Sequence, residues 1–382
     1  MIRETIPVNE VLSRAVAVGQ YYGFTPLSTL AARTRGAAQV KIPELDSLSG
    51  IAFDPTAQTV ASFLRQFQKT GLAPNARQPL FVWHTNIAPG RPAPKKTVVQ
   101  FHAIGTDRVL ADTVVIRAML ALARDLFGEE PIVRVNSMGD KETRARYTRE
   151  LGVFFRKRAD TLPEECTNCA KRDAVEAAEL TIARACTEDL PAPTEHLSDA
   201  SRKRFEELLE YLEVTETPYE LARNLISRGS AWSETCFEIV VQGRRVAWGS
   251  RYGDLTRHLF STSLPATGAV LQVASEGAAR PVSTSPGRLR FSFVHIGDDA
   301  KRLSIELAEH FRKARVSLTQ DIGVESLTEQ LSLAERRGSP YVLIMGRKEA
   351  LERSAILRNT KTQQETVLPL AGIVERLRAV AA

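Results

Sequence analysis

Residues 228–255, "RGSAWSETCFEIVVQGRRVAWGSRYGDL", hold the densest set of groups able to do chemistry. Arg228 and Gly229 stand at one end, Arg251 and Tyr252 at the other, and Glu238 lies between them. Guanidinium groups at the ends of paired strands can hold a phosphate or a carboxylate. The same arginines can instead pair with Glu234, Glu238 or Asp254, and ion-pair networks of that kind imitate functional sites. The run Ser230-Ala231-Trp232-Ser233 brings no carboxylate and no tyrosine to the site it would line. Elsewhere, Cys166 and Cys169 form a C-x-x-C pair with Cys186 downstream. A structural zinc site takes four ligands, so these three cysteines are expected to hold no metal. The histidines, among them His84, His102 and His295, are scattered without ligand-like spacing. Two basic stretches remain. "GRPAPKK" is a loop that could touch RNA or simply be solvated, and Arg347, Lys348, Arg353, Arg358 and Lys361 lie close together in sequence.

The elements that must position these groups fall into four regions. Residues 1–130 mix helix and strand signals. "VNEVLSRAVAVGQYYGF" repeats apolar residues at helical spacing, and "TVASFLRQFQKTGL" predicts a second helix. "DTVVIRAMLALARDLFG" predicts a third, with Val114, Val115, Ala118, Met119, Leu122 and Leu126 on one face and Gly128 as its stop. Residues 131–215 are mostly helical and highly charged. Residues 216–276 return to strands, and the Gly/Ser/Pro-rich stretch 277–288 reads as a linker. Residues 289–382 alternate strand and helix, which predicts a small α/β domain with parallel pairs.

At 382 residues the chain is long enough for two or three domains. Its 43% apolar and 25% charged residues are those of an ordinary globular protein. No apolar run is long enough to predict a membrane span. The first residues lack the pattern of a signal peptide, and four cysteines do not make a disulfide scaffold, so a cytoplasmic protein is expected. A net charge of +6 permits a polyanionic partner such as RNA without requiring one.

The order of segments resembles the histidyl-tRNA synthetases, which are class II aminoacyl-tRNA synthetases. The likeness runs through "GFTPL", "QFHAIGTDRVLADTVVIRAML", "LPEECTNCAKRD", "LISRGSAWSETCFEI", "WGSRYGDL" and "PATGAV". It continues in "LTEQLSLAERRGSPYVLIMGRKEALERSAILRNTKTQQETV", which is similar to the family's anticodon-binding domain. The resemblance implies an α+β fold: a class II antiparallel sheet with helices from 1–130 and 216–276, a helical insertion at 131–215, and a C-terminal α/β domain at 289–382. Fold alone does not supply function.

The family activates an amino acid with ATP and magnesium, using arginines to stabilise charge that builds on phosphoryl oxygens. Carried over by position, the first arginine falls on Pro89, the nearby glutamate on Arg91 and a second loop arginine on Val99. A later Glu-Arg pair falls on Ala274 and Ser275, and a pocket glutamine on Ala103. The ligand-facing set is then Gln58, Arg91, Gln100, Arg228, Glu238, Arg251 and Tyr252, with Arg228 catalytic if any activity survives. The RNA-facing set is Arg347, Lys348, Arg353, Arg358, Lys361 and Gln364. These losses predict a synthetase-like protein that does not activate histidine and binds tRNA, another RNA, a small ligand or a partner protein. An active histidine–tRNA ligase using ATP and magnesium is the rival. A regulatory subunit like that of ATP phosphoribosyltransferase is a third reading, against which the C-terminal domain argues. The "YYGFTPL" segment resembles the class II dimer motif, so a homodimer is expected.

Overall fold

The structure, a computed structural model, describes residues 5–33, 55–88, 95–186, 189–226, 231–260, 263–278 and 291–381. Two sheets organise them.

The larger sheet is built mainly of antiparallel strands. From one edge its order is β2 (Thr25–Pro26), β3 (Leu80–Ala88), β4 (Lys95–Ile104), β9 (Ala266–Glu276), β8 (Arg244–Arg251), β7 (Ser233–Val241), β5 (Ile132–Ser137) and β6 (Tyr219–Leu221). The short β1 (Ile6–Pro7) pairs in parallel with the far end of β9. β7 and β8 form the hairpin expected from sequence. Gln242 and Gly243 at its tip have φ of 48° and 76°, the left-handed pair that a two-residue hairpin turn demands.

Successive strand residues alternate between the two faces. On β4, Val99, Phe101 and Ala103 turn to one face, and Val98, Gln100, His102 and Ile104 to the other. The first face packs on α4 (Val109–Phe127). This helix was expected to bury one stripe. Instead it is buried nearly all round, with Val109, Ile116, Leu120 and Ala123 covered as well. It lies between the sheet and α1 (Val8–Tyr21), α8 (Asp199–Val214) and α10 (Asp298–Lys313), so little of it meets solvent. It stops at Gly128, whose φ of 69° lets its N–H reach the Arg124 carbonyl. α2 (Leu27–Arg33) packs at the β2 edge. The second sheet face is covered by α3 (Pro55–Gln68) and α9 (Gly253–Phe260).

Between β5 and β6 the chain forms α5 (Lys141–Lys157), α6 (Glu164–Ala170), α7 (Ala174–Ala183), a short 3-10 turn at Pro193–His196, and α8. Cys166 and Cys169 are buried here among Tyr147, Leu151, Phe154 and Phe155.

The second sheet has the order β11 (Leu318–Gln320), β10 (Phe291–His295), β12 (Tyr341–Met345), β13 (Ser354–Asn359), β14 (Glu365–Pro369). The first three strands are parallel, as the alternating pattern predicted. The last two are antiparallel and follow the short α12 (Arg347–Leu351). α10, α11 (Leu327–Arg336) and α13 (Ile373–Ala381) complete the unit. It does not stand apart from the rest. Leu307, Phe311 and Ile322 belong to the same buried cluster as Val18, Val115 and Met119. Charged contacts reinforce that seam: Arg312 meets Asp125 at 2.6 Å, and Arg124 meets Glu309 at 2.9 Å.

Candidate functional site

The sheet face bearing Gln100 and His102 is where Ala231 and Trp232 meet Tyr252. His102 is fully buried. Its ring stacks on Phe63 of α3, with centroids 3.7 Å apart and planes within 10°. Its Nε2 lies 3.2 Å from the Gln100 Oε1, and its Nδ1 lies 2.8 Å from the Tyr252 hydroxyl. A neutral imidazole matches both partners: Nε2–H donates to the amide oxygen, and Nδ1 accepts from the phenol. Burial holds the His102 pKa well below the usual imidazole range, with the charge of nearby His84 acting in the same direction. Burial also raises the Tyr252 hydroxyl well above its ordinary value. Trp232 completes the packing, edge-on to Trp248 at 4.6 Å and to Tyr252 at 6.5 Å. Ala231, Trp232, Tyr252, Phe63 and Val270 form one closed apolar cluster.

Arg251 points to the other side. Its Nε and Nη2 both lie 2.8 Å from the Asp112 Oδ2 in the first turn of α4. Its Nη2 also donates to the Arg108 carbonyl at 2.7 Å, and its Nη1 lies 3.3 Å from Asp107. Arginine and aspartate are both buried. The pair ties the end of β8 to the start of α4. The sequence offered Glu234, Glu238 and Asp254 as partners, and the structure supplies Asp112 and Asp107, more than a hundred residues away. Glu238 is buried on β7 and pairs with Arg134 at 2.6 Å. Gln58 is exposed near the start of α3. Arg91, Arg228 and Pro89 lie outside the described residues.

Ser275, the position carried over for a family arginine, faces the α4 side of β9 with Leu271 and Val273. It is buried, with its Oγ 2.7 Å from the Thr97 Oγ1. Ala274 has the other orientation and brings no charge. Val99 and Ala103 are likewise buried on the α4 face.

A cleft of about 790 Å³ opens between α5, β7 and α9. Asp107, Asp140, Lys141, Arg144, Glu234 and Asp254 line it, so both signs of charge are present. Arg144 spans the cleft wall, donating to the Trp232 carbonyl at 2.5 Å and to Asp254 at 2.7 Å. Glu234 sits where the β7–β8 register shifts, with a left-handed φ of 52°. A bulge of this kind re-aims a side chain. Its Oε1 accepts from Ser201 at 3.1 Å, and burial raises its pKa. Among the described residues, no group of three or more His, Cys, Asp or Glu has the geometry to hold a metal ion.

The RNA-facing residues are not brought together. β13 runs antiparallel to β12, so Tyr341 pairs Asn359 and Ile344 pairs Ile356. Arg347, Lys348 and Arg353 therefore lie where β12 ends. Lys361 and Gln364 lie in the turn at the opposite end, roughly 17 Å away at ~3.3 Å per strand residue. Arg353 is 3.5 Å from Glu306, and Arg358 is bound by Glu365 at 2.5 Å. Arg347, Lys348 and Lys361 are exposed and make no ion pair among the described residues.

Residues 291–380 match the family model of the anticodon binding domain. The chain is 24% identical over 372 residues to a histidine–tRNA ligase of Geobacillus sp. (strain WCH70), covering 90% of this chain and 86% of that one. It is 27% identical over 302 residues to the histidine–tRNA ligase of Halothermothrix orenii, covering 73% and 70%. The apo histidyl-tRNA synthetase of S. aureus has a similar fold, with a TM-score of 0.50 at 18% identity across 98% of this chain and 97% of that one. Over nine-tenths of its length this chain is thus similar in sequence to the histidine–tRNA ligases, it ends in an anticodon binding domain, and its α+β architecture is that of a histidyl-tRNA synthetase.

Proposed function

We propose that this protein is a histidyl-tRNA synthetase-like chain that does not activate histidine and that binds RNA through its C-terminal domain. The observation that carries the first half is the packed face around His102. Residues 231–232, within the run that resembles the family's amino-acid pocket, are buried with Tyr252 and Phe63 against the chain's own imidazole. The surroundings of Ala274 and Ser275 do not fit ATP with magnesium, since Ser275 turns to the α4 face and Ala274 carries no charge. Losing one charge-stabilising donor typically costs ~10²–10³-fold in rate.

The test is histidine-dependent ATP–pyrophosphate exchange. None above background is expected, and measurable turnover would return the chain to the active histidine–tRNA ligases. Support for RNA binding comes from the anticodon binding domain match and the exposed basic residues. Binding of bulk tRNA at two salt concentrations should show a steep salt slope. Replacing Arg347 and Lys348 with glutamate should reduce that slope by about 1 per lost phosphate contact. If neither that pair nor Lys361→Glu changes affinity, the C-terminal domain is not the RNA surface. The chain is also proposed to form a two-fold dimer through the segment around Pro26, which lies on the outer sheet edge against β3. Light scattering should give twice the 42.2 kDa chain mass, and the single-chain value would exclude it.

A further inference from the structure

The ring of His102 is held as a ligand would be held. Phe63 supplies a flat stacking surface on one side. At the ring edge, the two polar partners differ in hydrogen-bond sense. Gln100 presents an oxygen to Nε2, and Tyr252 presents a hydroxyl to Nδ1. Neither of these oxygens has a further hydrogen-bond partner among the described residues. The floor is Gly268 of β9, where an added Cβ would come within 2.2 Å of the His102 Nδ1. The glycine is therefore required by the ring, since its φ lies outside the left-handed region. Donor, acceptor, stacking surface and floor all match one five-membered ring with nitrogens at its 1 and 3 positions.

We infer that Phe63, Gln100, Tyr252 and Gly268 form a built imidazole receptor that His102 itself fills, so that a chain lacking this side chain takes a free imidazole-class ligand in its place. The natural chain is closed to such ligands because the occupant is covalently attached and always present. The inference uses the same sheet face as the proposed loss of histidine activation but does not depend on it. Pyrophosphate exchange in the wild type would defeat that reading and leave this one standing.

The experiment is thermal unfolding of full-length His102→Ala with small aromatic additives. The substitution leaves a ring-sized cavity with one donor and one acceptor, and such a polar cavity is not satisfied by an apolar guest. Millimolar imidazole should raise the variant's melting temperature by about 2–4 °C and leave the wild type unmoved. Pyrrole, which has an N–H but no acceptor nitrogen, should recover less, and toluene least. Equal rescue by toluene, or no rescue by imidazole in a variant with native circular dichroism, would overturn the inference. If His102→Ala does not fold, the wild type decides by nitrogen-15 NMR at neutral pH. A neutral ring protonated on Nε2 and bare on Nδ1 is expected, and the opposite tautomer or a rapidly averaging ring would sink the proposal.

Discussion

Arg251 and Asp112 meet inside the protein with almost no water around them, and the consequence is asymmetric. Removing one member of a buried pair leaves an uncompensated charge, whereas replacing both with apolar groups is often neutral. Arg251→Met is therefore expected to cost about 3–5 kcal/mol in urea unfolding, and Arg251→Met with Asp112→Leu to recover most of it. Equal losses in the single and double variants would mean that the pair does not hold β8 to α4. Two buried histidines make a second prediction. Burial lowers the His295 pKa to about 3, with the Lys301 charge adding to it, and His102 is also held well below its usual range. The unfolded chain takes up protons at both as pH falls through about 6.5, while the folded chain does not. Stability should thus fall on acidification from pH 7, by up to about 1.4 kcal/mol per pH unit for each histidine. A denaturation midpoint that does not move between pH 7 and pH 5 would contradict this. The sequence showed the residue types of both sites but not their partners. Asp112 lies 139 positions from Arg251, and Tyr252 lies 150 from His102. Sequence proximity offered only neighbours.

At the scale of elements, β9 carries the clearest departure from the resemblance. It runs as strand to Glu276, so alternation alone fixes where each side chain goes. Ser275 turns to the buried α4 face, and an arginine there would enter apolar packing instead of a ligand site. Ser275→Arg is expected to destabilise by several kcal/mol, on the order of an unpaired buried charge, and to restore no exchange activity. A melting temperature equal to the wild type's would refute the face assignment. The β7–β8 hairpin was legible because Gln242-Gly243 is a local turn signal between apolar runs. The β13–β14 hairpin was not, because "ETVLP" has only one buried residue and no alternation to read. The helix α4 was legible as a helix but not as a central one. Its charged residues find partners in distant segments: Asp112 pairs with Arg251 of β8, Arg124 pairs with Glu309 of α10, and Arg117 donates to the Thr215 carbonyl in the 215–217 turn.

Across the whole molecule, one buried cluster joins the large sheet, α1, α4 and the C-terminal unit. A chain so joined should unfold in a single thermal transition. Deleting residues 291–381 should bare the apolar sides of α1 and α4 and produce strong binding of a hydrophobic dye. Two separate transitions, or a truncated chain that stays soluble and dye-silent, would show that the units are independent. The same connectedness bears on synthesis. β1, at residues 6–7, pairs with β9 at residues 275–276. At ~5–20 residues per second, the first strand waits on the order of 15–50 s for its partner to leave the ribosome. The surface that α10 covers must wait longer still. Nascent chains of this protein therefore carry an incomplete apolar core through most of translation, and a chaperone that shields it should raise the yield of folded product more than slower elongation would.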